Sequence, residues 1–182
     1  MNAVVIYKSS TGFTEQYAGM IAAALKCPAV KFGNAGDLSQ YDLVIFGGWV
    51  RAAKIVGLKT ALKKVHRQSG QKMVVFAVGA NEQTAENTHH LKTENLKEGN
   101  EQIPFFYLQG GFAPEKLNFF LNMMLKNVAK SIEKKDAANP GSLSKEDQEF
   151  LTFFRSSHND VSEENLTEML KFIRESTGEK TF

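Results

Sequence analysis

Apolar residues along this chain come in short runs separated by amphipathic stretches. Residues 3–7 (AVVIY) form an uninterrupted, β-branched run, the pattern of a strand buried on both faces of a sheet. From 13 to 25 the pattern becomes a helical repeat, with Tyr17, Ile21, Ala24 and Leu25 recurring until Cys27 and Pro28 stop it. The alternation then continues. A short strand over 29–32 is closed by the turn residues Gly33, Asn34 and Gly36; a buried strand covers 43–46, a helix 54–65, a strand 73–78, a helix 84–96 and a strand 105–108. Parallel strands need a connection long enough to carry the chain back, so this rhythm predicts parallel strands with right-handed helical crossovers. The expected fold class is α/β, a doubly wound five-stranded parallel sheet covered by helices on both faces.

Beyond the fifth strand the rhythm breaks. Residues 112–133 and 144–154 read as helices ahead of a last helix over 162–175. A five-stranded unit needs one closing helix, so 112–159 read as a helical insertion between the fifth strand and the last helix, broken at Asn139, Pro140 and Gly141, within one domain spanning 1–182. On the first inserted helix Leu117, Leu121, Met124, Leu125, Val128 and Ile132 share a core-facing stripe, while Phe119 and Met123 lie opposite, among Lys116, Lys126, Lys130 and Lys134. Either the helix over 144–154 covers those two side chains, or they meet an anionic membrane surface, a lipophilic quinone or a porphyrin with propionates.

Composition adds bounds. A chain of 182 residues, 42% of them hydrophobic, can bury one sizeable core. No stretch reaches the roughly 18 apolar residues of a bilayer span, the start lacks a secretory signal, and the single Cys27 has no disulfide partner. A cytoplasmic protein is expected, with peripheral contact at the inner face of the membrane through 112–135 as its one membrane option. With 22 Lys+Arg against 20 Asp+Glu, nothing points to nucleic acid. Adjacent His89 and His90 cannot share a helix face, and His66 and His158 have no Cys or carboxylate pattern, so no metal site is expected. All four histidines read as surface residues, and Cys27 as a small buried one.

The candidate chemistry lies in the first strand-to-helix loop, Ser9, Ser10, Thr11, Gly12, Phe13 and Thr14. In open α/β sheets ligands bind beyond the carboxyl ends of the strands, where the chain order switches. Three hydroxyls and the amides of a helix N-terminus can surround a terminal phosphate, and Gly12 lets the backbone approach. The competing reading is that the hydroxyls merely cap the helix. Neither GxxxxGK[ST] nor GxGxxG is present, which argues against nucleoside triphosphates and against NAD as the primary ligand. Gly47 stands where a phospho-relay receiver would carry its acceptor Asp, which excludes that function.

The pattern Ser9-x-Thr11-Gly12-x-Thr14 directly after the first strand resembles the phosphate loop of flavodoxins, T/S-x-T-G-x-T, and the likeness covers 1–111 and the last helix. Within that superfamily the second loop, 46–51 (FGGWVR), is similar to that of the menaquinone-dependent protoporphyrinogen oxidases, which carry G-A-S-I-R-Y-G there. Gly47, Val50 and Arg51 match; Trp49 stands where that family has Ser, Ala52 where it has Tyr, and 80–86 replaces its basic third loop. The resemblance implies one FMN held by loop 9–14, with Gly48, Trp49 and Val50 on one side of the ring system and Val78, Gly79, Ala80 and Asn81 on the other. Trp49 either stacks on the flavin or packs between loop and helix. Asn81 reaches the pyrimidine edge or sits in a plain turn, and Arg51 supports an anionic group or is simply solvated. Chemistry would be flavin-borne: oxidation of protoporphyrinogen IX with a quinone as acceptor. The alternatives are an electron carrier between redox partner proteins, against which the pI of about 8.6 speaks because carriers dock through acidic rims, and a cofactor-free interaction domain.

Overall fold

A computed structural model of the chain describes residues 1–65, 70–117 and 119–178; His66 lies outside them. The elements are β1 (Ala3–Lys8), α1 (Phe13–Leu25), β2 (Ala29–Lys31), β3 (Leu43–Arg51), β4 (Lys54–Ile55), α2 (Leu58–Lys64), β5 (Lys72–Gly79), α3 (Ala85–Asn95) and β6 (Phe105–Gln109). They are followed by β7 (Gly111–Phe112), α4 (Phe119–Ala138), α5 (Lys145–Arg155), β8 (His158–Asn159) and α6 (Thr167–Thr177). The chain divides into two compact units, Met1–Gly110 with Asp160–Phe182, and Gly111–Asn159.

In the first unit the sheet order is β2-β1-β3-β5-β6, with every neighbouring pair parallel, as the alternation of strand and helix predicts. The uninterrupted apolar runs are explained by burial on both faces: Val5, Ile6, Ile45, Phe46, Val75 and Phe76 are all at 0% exposure. One face packs Val4, Ile6, Phe46, Val75 and Tyr107 against Leu58 and Ala61 of α2 and Leu91 of α3. The other carries α1 and α6, whose Tyr17, Ile21, Met169 and Ile173 are buried. Each such side chain contributes about 1.5–3 kcal/mol.

In this unit three sequence expectations are corrected. The stretch 46–51 is not a loop: β3 runs on to Arg51 and folds back on β4 as an antiparallel hairpin, pairing Val50 with Ile55 and Arg51 with Lys54. Ala52 and Ala53 form its turn with φ of 45° and 59°, the left-handed geometry that suits a two-residue hairpin, though alanine adopts it at a cost of about 1–2 kcal/mol each. The helix expected over 54–65 therefore begins only at Leu58. Cys27 is half-buried rather than buried.

In the second unit Gly111–Phe112 pairs antiparallel with His158–Asn159, so the unit is entered and left through a two-stranded ribbon, and 112 is strand where a helix is expected. His158 is half-buried, edge-on to Phe153, not a surface residue. α4 and α5 pack through Ala129, Ile132 and Leu151, joined by Leu143, Phe150 and Phe154. That contact is narrower than the stripe expected from the sequence: Met124 and Val128, placed on the core side, are each 42% exposed. Phe119 and Met123 are exposed as well, so α5 does not cover them.

Candidate functional site

The chain order switches between β1 and β3: the chain leaves β1 to form β2 on one side and crosses to β3 on the other. The loop after β1 thus opens at the place where such sheets bind ligands. Its shape is set by Gly12, which caps α1 in the left-handed region with φ 96°. The Gly12 amide donates to Ser9 Oγ at 3.1 Å, so Ser9 braces the turn; as a hydroxyl it still has its own proton to donate. The hydroxyls of Ser10, Thr11 and Thr14 make no hydrogen bond among the described residues, although Thr14 is only 1% exposed. The first-turn amides of α1 have no intrahelical acceptor. The Phe13 side chain is buried and anchors the loop, close enough to Gly110 that a Cβ there would lie 3.3 Å from Phe13 Cβ. Unpaired hydroxyls, a left-handed glycine and a helix N-terminus together offer donors of the kind a dianionic phosphate would accept from, without a basic side chain.

The ends of β3 and β5 build a second feature beside it. A cavity of about 360 Å³ is lined by Val50, Ala52, Ala53, Gly79, Ala80, Asn81, Asn87, His90, Leu91 and Tyr107. It brings together Val50, Gly79, Ala80 and Asn81 among the expected site residues and leaves out loop 9–14, Gly48, Trp49 and Val78. Strand alternation gives the reason. Trp49, half-buried and in register with Val78, lies on the α1 side of the sheet, whereas Val50 packs with the α2 and α3 core on the other. Gly48 and Val78 sit within the sheet: a Cβ at 48 would meet Ile55 Cγ2 at 2.6 Å, and Val78 is 4% exposed. Arg51 is exposed, with no carboxylate partner among the described residues.

Several residues that position this site carry no sequence signal. Asn95, at the end of α3, accepts from the Ile55 amide at 2.9 Å and donates to Ala53 O at 2.8 Å, fixing the hairpin; in the sequence it reads as an ordinary helix-end residue. Asn87 and His90 reach the cavity only because α3 lies alongside the hairpin. Tyr107 donates to Asn81 O at 2.8 Å and so holds the loop after β5.

Burial pushes the Tyr107 phenol up to about 12, against an ordinary value of 10.0. Tyr7 is likewise raised to about 12, by burial first and then by its 2.8 Å bond to Glu15. A phenol whose neutral form is favoured in the folded state stabilises fully below pH 10 and loses that contribution as pH rises from 10 to 12. Denaturant midpoints should therefore fall over that window. Tyr107→Phe should lose about 1 kcal/mol at neutral pH, from the missing bond to Asn81, and show a shallower alkaline fall than the parent. An equally steep fall in the variant would mean that Tyr107 ionises normally.

No curated protein matches this chain. Among solved structures it is similar to a candidate flavoprotein from Bacteroides eggerthii (18% identity, 58% of this chain and 85% of that one, TM-score 0.43). It is also similar to the flavodoxin, WrbA-like protein from Agrobacterium tumefaciens (18%, 66% and 88%, TM-score 0.42) and to a flavodoxin from the domain Archaea (12%, 60% and 83%, TM-score 0.40). Residues 4–139 match the family described as the flavodoxin domain, and the chain belongs to that family.

Proposed function

We propose that this chain is an FMN-dependent redox protein. The observation that carries the reading is loop 9–14: at the topological switch point, the hydroxyls of Ser10, Thr11 and Thr14 have no partner among the described residues, and Gly12 turns the chain onto an open helix N-terminus. These residues would hold the terminal phosphate of FMN. Gly79, Ala80 and Asn81, braced by Tyr107, would face its ring system, as would Val50 on the Asn95-braced hairpin. When bound, FMN supplies one- and two-electron transfer; the protein's part is to bind, orient and shield it.

The finer reading is oxidation of protoporphyrinogen IX with a quinone acceptor. Of the three residues matching that pattern, Gly47 bears on packing, because the Phe76 ring fills the space a side chain would need. Val50, at the cavity, and Arg51, an exposed guanidinium suited to a carboxylate, support the reading. An electron carrier between proteins is the second reading, favoured by the family.

The test is uptake of flavin. Purified protein incubated with FMN and freed of excess should show flavin absorbance at one FMN per chain, and should bind FAD more weakly, since loop 9–14 would hold a terminal phosphate. No uptake, or a preference for FAD, sinks the reading. NADH or NADPH alone should reduce the bound flavin far more slowly than a dedicated reductase, since no dinucleotide fingerprint is present. Fast reduction would reveal a nicotinamide site. Turnover of protoporphyrinogen with a menaquinone analogue separates the dehydrogenase from the carrier.

A further inference from the structure

Among the described residues, seven large apolar side chains are exposed, and five of them fall within ten residues of α4: Phe119 at 84%, Phe120 at 65%, and Met123, Met124 and Val128 at 42% each. No helix among the described residues is long and apolar enough to cross a membrane, so this surface is not part of a span. It is the unpacked side of an amphipathic helix whose other side, Leu121, Ala129 and Ile132, is buried. Directly beyond the apolar end, Lys126, Lys130 and Lys134 follow at four-residue spacing and form one exposed stripe. The ion pairs of this unit use Lys135, Lys145 and Arg155, leaving those three lysines with no carboxylate partner among the described residues.

We infer that α4 is a docking surface for an anionic lipid bilayer, lying in the plane of the interface with its phenylalanines and methionines among the upper acyl chains and its lysines on lipid phosphates. Two properties select this occupant. The face is the convex side of a single helix, which a deformable bilayer can receive, whereas a protein partner would need a matching groove. A second copy of the chain packed parallel on this face would bring two unpaired lysine stripes together, and that contact is repulsive. A negatively charged surface satisfies both halves of the face, because long side chains place their apolar stems in the interface and their charged ends in the headgroups. The inference is independent of flavin binding.

The experiment is co-sedimentation of the intact protein with equimolar phosphatidylglycerol–phosphatidylcholine vesicles and with phosphatidylcholine vesicles alone. The parent should bind the anionic vesicles, weakly in high salt, and scarcely bind the neutral ones. Lys126→Gln/Lys130→Gln/Lys134→Gln should lower partitioning about a hundredfold, at about fivefold per lysine. Phe119→Ser/Met123→Ser should lower it by about tenfold or more, with circular dichroism and FMN uptake unchanged. Absent binding, equal binding to both vesicles, or parent-like binding by either variant overturns the inference. So does a concentration-dependent dimer abolished by Phe119→Ser/Met123→Ser, which would make the face a self-association surface. Unfolding of that double variant would show the side chains to be core and overturn it too; the lysine variant, on exposed positions only, reads the electrostatic half independently.

Discussion

Gly12→Val should weaken FMN binding by about a hundredfold or more, and Thr11→Ala by about ten- to a hundredfold. Gly12 caps α1 at φ 96°, outside the conformations a β-branched residue tolerates. No atom lies within 4 Å of the position a Cβ would take, so the penalty is conformational rather than a clash. Valine would pull the turn toward negative φ, displacing the Ser9–Gly12 hydrogen bond and re-aiming the first-turn amides on which the phosphate would rest. The Thr11 effect follows from one hydroxyl donor to a dianion, worth about 1.5–3 kcal/mol, more than a neutral bond because the acceptor is charged. Flavin fluorescence quenching on titration with protein gives both affinities. Melting temperature serves as control, since the strands packed beneath the loop are untouched. Parent-like affinity in both variants would place the phosphate elsewhere on the chain.

Gly47→Ala should cost about 3 kcal/mol of stability, a large effect for one methyl group. Gly47 pairs with Phe76 in the adjacent strand, and the added Cβ would overlap Cζ at the tip of the Phe76 ring, with Cε2 and Cε1 at 2.5 and 2.6 Å. Phe76 is at 0% exposure, so the ring has no solvent to move into, and overpacking of this kind usually costs about 1–3 kcal/mol. Urea midpoints measure the loss, and adding Phe76→Leu should recover much of it by making room. A Gly47→Ala variant as stable as the parent would mean the ring relaxes freely. The same contact gives a structural reason why position 47 cannot carry a phospho-acceptor Asp: a carboxylate there would be driven into the ring.

How much of this was legible beforehand depends on how local each signal is. The β1–α1 unit was readable because its information is contiguous: a buried run, a hydroxyl-rich turn with Gly12, then a 3.6-residue repeat. The β3–β4 hairpin was not. Its turn is Ala52-Ala53, which lacks the Asn or Gly that marks left-handed geometry, and the turn is held by Asn95 some forty residues away. Extending β3 to Arg51 then sorted the expected second loop by alternation, sending Trp49 and Val50 to opposite faces.

By itself, then, the sequence determined the alternation of five parallel strands with helices, the loop after β1 and the break in rhythm past the fifth strand, because periodicity and turn chemistry act within a few residues of one another. Only the tertiary structure decided which side chains share a space. Asn87, His90 and Tyr107 join Val50 and Gly79 around one cavity because α3 and β6 are brought alongside the ends of β3 and β5. On α4, a helical wheel gives the direction of each residue but not the width of the helix that packs against it. The contact with α5 centres on Ala129, Ile132 and Leu151, and that narrow seam is why Met124 and Val128 face outward.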